Sequence, residues 1–186
     1  MRRLFVPILI VLAIVSVSVC GFAKEVDLFT LLTGDWEALP HWISANCTAA
    51  TDYVVDLVPA PEEVSPWGMA WRFQVNQPNT AMKWSTPVSL LTGETPYLVV
   101  TYRAVGIDTA DSGVAGDDWF VFFYGAEFSP MIGFLYELES DGEWHTIVFS
   151  VPEITMWYLD FHVKAADVEE AFIEIADLRL VSEIEE

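Results

Sequence analysis

From Lys24 onward apolar residues recur at every second position, and Gly, Pro, Asp or Asn breaks that alternation roughly every ten residues. In an extended chain successive side chains point to opposite faces, so such a pattern folds as strands with one oily face and one wet face. Trp67 to Asn76 shows it clearly: Trp67, Met69, Trp71, Phe73 and Val75 share one side, while Arg72, Gln74 and Asn76 share the other. No long stripe of helical spacing competes with it, and the expectation is an all-β chain.

Further strands are expected at Tyr53 to Val58, Met82 to Leu90, Tyr97 to Ala104, Trp119 to Tyr124, Trp144 to Val151, Trp157 to Val163 and Ala171 to Val181. Pro87 cannot donate to a ladder and marks an edge or a bend. The unbroken apolar run of Trp119 to Tyr124 predicts a central strand covered on both faces. Glu139-Ser140-Asp141-Gly142-Glu143 reads as a hairpin turn, since Asp-Gly tolerates positive φ, and Ala165 to Glu170 as a single helical turn. About eight strands with long connections suit a two-sheet antiparallel β-sandwich of jelly-roll type. Neither a repeat nor a linker divides residues 24–186, which read as one domain.

The first 23 residues read differently. Met1-Arg2-Arg3 is a basic start, Leu4 to Val19 is almost wholly apolar, and Gly21-Phe22-Ala23 supplies small residues at a cleavage site, the layout of a secretory signal helix. Export to the periplasm or the extracellular space is therefore expected, with a lipoprotein on Cys20 or an uncleaved anchor as lesser alternatives. Cys47 is the one cysteine beyond the signal, so no internal disulfide can form there. Asn46-Cys47-Thr48 fits the N-glycosylation pattern, a short motif that also arises by chance. The chain carries 28 acidic and 8 basic residues, and losing Arg2 and Arg3 takes the formal charge from −20 to −22. Lys24, Arg72, Lys83, Arg103, Lys164 and Arg179 are scattered along the sequence, which excludes nucleic acid and an anionic membrane as partners. An apolar content of 53% excludes disorder.

Several stretches resemble the galactose-binding-like jelly rolls that include many carbohydrate-binding modules. Pro96-Tyr97-Leu98-Val99-Val100-Thr101-Tyr102-Arg103-Ala104 is similar to their "Y-L-x-x-x-Y-R-A" strand. Glu143-Trp144-His145-Thr146-Ile147-Val148-Phe149 resembles the strand that follows a turn, Ala171 to Leu180 the closing strand, and Leu32-Thr33-Gly34-Asp35-Trp36 the opening turn. The resemblance implies a jelly-roll fold and a non-catalytic, carbohydrate-binding task. It also implies a structural Ca²⁺ between the opening segment and the closing strand, which falls on Asp35, Glu37 and Asp177.

A glycan presents hydroxyls with apolar C–H patches between them, and its binding face needs polar groups beside a flat aromatic. If Trp157, Leu159, Phe161 and Val163 face inward, then Tyr158, Asp160 and His162 face outward. They could then join Arg72, Gln74, Asn76 and Arg103 on one sheet surface. A solvated face of cross-strand charge pairs would show the same residues. Trp67, Trp71 and Trp157 are in phase with the core, whereas Trp36, Trp42 and Trp84 lie near breaks, where exposure is favoured.

Asp108, Asp111, Asp117 and Asp118 sit in one Gly-containing loop that suits Ca²⁺, although they fit equally as solvated acids of an acidic chain. Asp160 and His162 with His145 form a weaker zinc set, provided their strands are neighbours. No nucleophile elbow, metalloprotease helix motif or phosphate loop is present. The expectation is thus an exported module that binds carbohydrate, a neutral glycan being favoured because the net charge repels polyanions. A structural or adhesive module docking to an extracellular protein is the alternative, and a glycan-acting enzyme the third reading.

Overall fold

The computed structural model describes residues 24–33, 41–43, 53–110, 121–124, 137–151, 153 and 155–184. Among the described residues ten strands and one short helix follow in chain order: β1 (Glu25–Asp27), α1 (Leu28–Thr33), β2 (His41–Ile43), β3 (Tyr53–Pro59), β4 (Met69–Val75), β5 (Ala81–Leu91), β6 (Tyr97–Val105), β7 (Val121–Tyr124), β8 (Asp141–Ser150), β9 (Thr155–Lys164) and β10 (Ala171–Val181). They form two sheets, one in the order β3-β4-β10-β6-β8 with β1 also on β10, the other in the order β2-β5-β9-β7. Every pairing is antiparallel. The chain is an all-β, two-sheet sandwich.

Alternation assigns the core as expected. Trp71, Phe73 and Val75 of β4, Leu98, Val100 and Tyr102 of β6, and Phe161 and Val163 of β9 are buried together. The two sheets meet where the Phe73 and Phe161 rings stack, with centroids 4.7 Å apart. Burial is most complete on β10, where every residue except Arg179 is buried. β6 pairs with β10 along nearly all of its length, so β4 at Ala171–Ile175 and β1 at Arg179–Val181 must share its other edge. Helix α1 closes the sandwich. Asp27 accepts the Thr30 N–H at 2.9 Å, a helix-capping bond, and Leu28 and Phe29 enter the core.

Several local expectations are corrected. Trp67 is not a core residue: β4 begins only at Met69, and Trp67 lies in the preceding turn, 52% exposed. The doubly covered central strand is β10, whereas the apolar β7 stands at the end of its sheet among the described strands. Asp141 and Gly142 do not make a hairpin. They open β8, where Arg103↔Trp144 gives way to Val105↔Asp141, so β8 carries one extra residue and Gly142 takes φ 84°. Positive φ is indeed required there, but in a bulge. Ala165 to Glu170 contains no helix, since Ala165 bridges to Ile107 and the next residues bend toward β10. Pro87 marks the start of a register shift between β5 and β9, the bend expected of it.

Burial orders the cost of truncation. Trp71→Ala should lower unfolding free energy by about 3–5 kcal/mol, and Trp67→Ala by less than about 0.5 kcal/mol. Urea denaturation of the two variants measures both, and equal losses would contradict the placement of β4.

Candidate functional site

The register of the larger sheet brings charge and aromatic surface into one row. Asp56 stands opposite Arg72, Arg72 opposite Glu174, Glu174 opposite Arg103, and Arg103 opposite Trp144. All five occupy the face turned away from the core, because their neighbours Phe73, Ile173 and Tyr102 point inward. Glu174 is almost completely buried, with 1% of its side chain exposed. Arg72 donates from Nε at 2.8 Å and from Nη2 at 2.5 Å to its Oε1. Arg103 donates from Nε at 2.8 Å to Oε2, and its Nη2 lies 2.6 Å from the same oxygen. Each carboxylate oxygen therefore belongs to one guanidinium.

Aromatic rings frame this bridge. The Arg72 guanidinium carbon sits 4.3 Å from the Phe172 ring centre, and that of Arg103 sits 5.3 Å from Trp144 and 5.8 Å from Phe172. Stacking and ion pairing hold both planar groups in fixed orientation, yet about a quarter to a third of each arginine remains exposed. A guanidinium has five N–H donors, and the bridge engages two on each. Gln74 stands opposite Phe172 on this face and donates to Asn76 Oδ1 at 2.7 Å. Arg179, farther along β10, donates to Asp177 and to Glu25. The three arginines among the described residues thus converge on one face, Arg72 and Arg103 sharing Glu174 and Arg179 pairing with Asp177 and Glu25.

The expected binding set splits. Arg72, Gln74 and Arg103 share the outer face of the larger sheet, with Asn76 just past the end of β4. Tyr158, Asp160 and His162 belong to β9 of the other sheet. Phe161 points at Phe73, so His162 lies on the far side of β9, where it is 4% exposed. His162 therefore lies on the opposite outer face from Arg72 and Arg103, and the expected set is divided between the two sheets. Glu174, Phe172 and Trp144 were missed. The available signal was Glu174 itself, a lone acid in the apolar run Phe172-Ile173-Glu174-Ile175 that could be buried only beside cations.

The expected metal sets fare differently. Asp35 and Glu37 lie outside the described residues, as do Trp36, Cys47, Asn46, Asp111, Asp117 and Asp118. Asp177 keeps its Oδ2 on Arg179 Nε at 2.9 Å, so the positive charge in that corner is a guanidinium. Its carboxyl is pushed above the usual range, chiefly by burial, with Glu25 and Asp27 adding to the effect. Asp27 already serves Thr30 through both oxygens. Of the expected calcium set, Asp177 alone lies among the described residues. The zinc set also separates, since His145 stands on β8 of one sheet and Asp160 with His162 on β9 of the other.

His145 has different neighbours. Its Nε2 is 2.9 Å from Asp141 Oδ1 and its Nδ1 is 3.9 Å from Glu139 Oε1. Donor atoms of the three side chains lie within 4.8 Å of one another, a carboxylate–imidazole set of the kind that suits zinc-like cations better than calcium. The Asp141 hydrogen bond holds the imidazole above its ordinary pKa of 6.5. Asp141 is held low, first by the Glu143 N–H and then by His145.

No family model matches the chain, and no curated protein matches it. Among solved structures, TmCBM27, a carbohydrate-binding module described for specific mannan recognition, shows 14% identity and a TM-score of 0.45 over 87% of this chain and 97% of that one. The CBM22-1 xylan-binding domain of Paenibacillus barcinonensis Xyn10C shows 12% identity and a TM-score of 0.41 over 74% and 86%. A similarity of 8% identity and TM-score 0.44 to the enzymatically active domain of bacteriophage CBA120 tailspike protein 4 covers 77% of this chain but only 19% of that one.

Two outcomes follow from this geometry. Glu174→Ala leaves two guanidiniums facing each other over an apolar strand and should cost about 3 kcal/mol of stability, read by denaturant unfolding. A loss below about 0.5 kcal/mol, the level of an ordinary surface change, would show that the bridge is not formed. Because the folded-state pKa of His145 is raised, its ion pair contributes fully at pH below the unfolded value and is lost as pH rises through the folded one. An NMR titration should place the His145 midpoint above 6.5, and Asp141→Asn should bring it back toward that value.

Proposed function

We propose that the outer face of the larger sheet binds a neutral carbohydrate outside the cytoplasm and that the chain is a non-catalytic recognition module. The observation that carries this reading is the Arg72–Glu174–Arg103 bridge framed by Phe172 and Trp144. Sugar hydroxyls are held best by donors whose direction is set before binding, because little side-chain entropy is then lost on association. The buried carboxylate sets that direction for both guanidiniums. Aromatic surface beside them suits the C–H patches of a sugar ring.

Charge balance argues for neutrality. Glu174 offsets much of the positive charge of its two arginines, and Asp177 with Glu25 offsets that of Arg179. Such a surface is rich in hydrogen-bond donors yet offers no large field for a polyanion, which the −20 of the whole chain would repel further. Export is part of this reading and is supported by the basic, apolar and small-residue pattern of residues 1–23.

Trp67 favours a second reading. Half exposed, it borders an apolar cavity of about 300 Å³ with Phe29, Leu57 and Met69, a surface suited to an apolar partner such as another extracellular protein. Mutation separates the two readings. Arg72→Ala is a poor probe because it strands Glu174, whereas Trp144→Ala leaves the bridge in place. In glycan-array screening followed by calorimetry, Trp144→Ala should weaken saccharide binding about tenfold, and Trp67→Ala should leave it unchanged. Binding that survives Trp144→Ala and fails in Trp67→Ala would reverse the assignment.

A further inference from the structure

The outer face continues beyond the arginine row. Along the β6 and β8 pair, the outward cross-strand partners are Arg103 with Trp144, then Thr101 with Thr146, then Val99 with Val148. The two threonine hydroxyls lie 2.9 Å apart. Past them opens a cavity of about 370 Å³, lined by Val99, Val148, Val181 and Ile184 on its apolar side and by Thr146 with two cations, Lys24 and Arg179, and two acids, Glu25 and Glu183, on its polar side. Polar and apolar groups therefore alternate along the strands. Arg103 lies four steps along the strand from Val99, about 14 Å at the rise of a strand, which is longer than one sugar ring.

Across the strands the situation is different. The row from Arg72 to Trp144 spends its charges on itself, both arginines turning to Glu174. Along β8 the exposed Thr146 and Val148 keep a hydroxyl and methyl groups at the surface, while their partners Thr101 and Val99 on β6 are buried, and this edge leads from Trp144 to a recess. Val148 is 39% exposed at its far end.

Resting on the carbohydrate reading above, we infer that the ligand is an extended, neutral oligosaccharide chain lying along β6 and β8. One unit sits against Trp144, an intermediate unit lies over the exposed Thr146 hydroxyl, and a further unit fills the cavity beside Val148. The chemistry of the column matches such a chain: donors and acceptors where hydroxyls project, and aliphatic or aromatic carbon where the rings present C–H faces.

Calorimetric titration of the full chain with cello-, manno- and xylo-oligosaccharides, from monosaccharide through hexasaccharide, tests this. Affinity in the recognised series should rise about tenfold from the disaccharide to longer members and then level off. Val148→Arg fills the recess from an exposed position. It should reduce the affinity of the hexasaccharide to that of the disaccharide while leaving the disaccharide unchanged, and thermal melting verifies its fold. Thr146→Arg, also exposed and one pleat nearer Trp144, is the second variant, with the same loss expected for the hexasaccharide. Equal affinity for disaccharide and hexasaccharide, or indifference of the hexasaccharide to both substitutions, would overturn the extended track and leave the carbohydrate reading intact. No binding of any saccharide would remove that reading and the track with it.

Discussion

A carboxylate buried in the middle of β10 governs the larger sheet. Removing an ion from water costs several kcal/mol unless partners replace its hydration, and Glu174 is 1% exposed. Its partners come from both neighbouring strands at the same register, Arg72 from β4 and Arg103 from β6. A slip of either strand by one residue would turn its arginine into the sandwich interior and strip Glu174 of half its compensation. The bridge therefore discriminates among registers that apolar alternation alone tolerates. Packing then completes the choice, with Ile173 and Ile175 buried beneath the same three strands.

The same bridge shapes the surface chemistry. In a chain with 28 acids and 8 bases, long-range electrostatics oppose any anionic partner. Yet Arg72, Arg103 and Arg179 share one face, each tied to a specific acid. The result is a rigid, donor-rich and nearly neutral patch, stacked on Phe172 and Trp144. Rigidity of this origin costs the ligand nothing, because folding has already ordered the side chains. A structural requirement, neutralising one acid, thereby also produces the features that recognition of hydroxyl groups needs.

Much of the fold was legible from period-two alternation. The bounds of β6, β9 and β10 and the inward sets Trp71, Phe73, Val75 and Leu98, Val100, Tyr102 were readable because each strand has one core face. Alternation is a property of a single strand, however, and does not say which sheet that strand joins. Alternation alone thus allows Arg72 and His162 one surface, and the sheet pairing puts them on opposite ones. β7 and β10 differ for a related reason: continuous apolarity predicts a central strand, yet among the described strands β7 ends its sheet while β10 is central and buried although it carries Glu174 and Asp177. Its acids satisfy their charge laterally, through cations on neighbouring strands and its own Arg179, a contact that no local window reveals. Gly142 shows the converse, since a need for positive φ was readable and its use in a bulge depended on the partner strand.

The central claim is that recognition occurs on the outer face built around Glu174. Mapping saccharide binding by NMR on the full chain tests it most directly, through the Nε–H signals of Arg72 and Arg103 and the indole N–H of Trp144. These signals should shift together and saturate at one affinity, while amides of 155–164 in the other sheet stay in place. Shifts confined to β9, or to the surroundings of Trp67, would contradict the account.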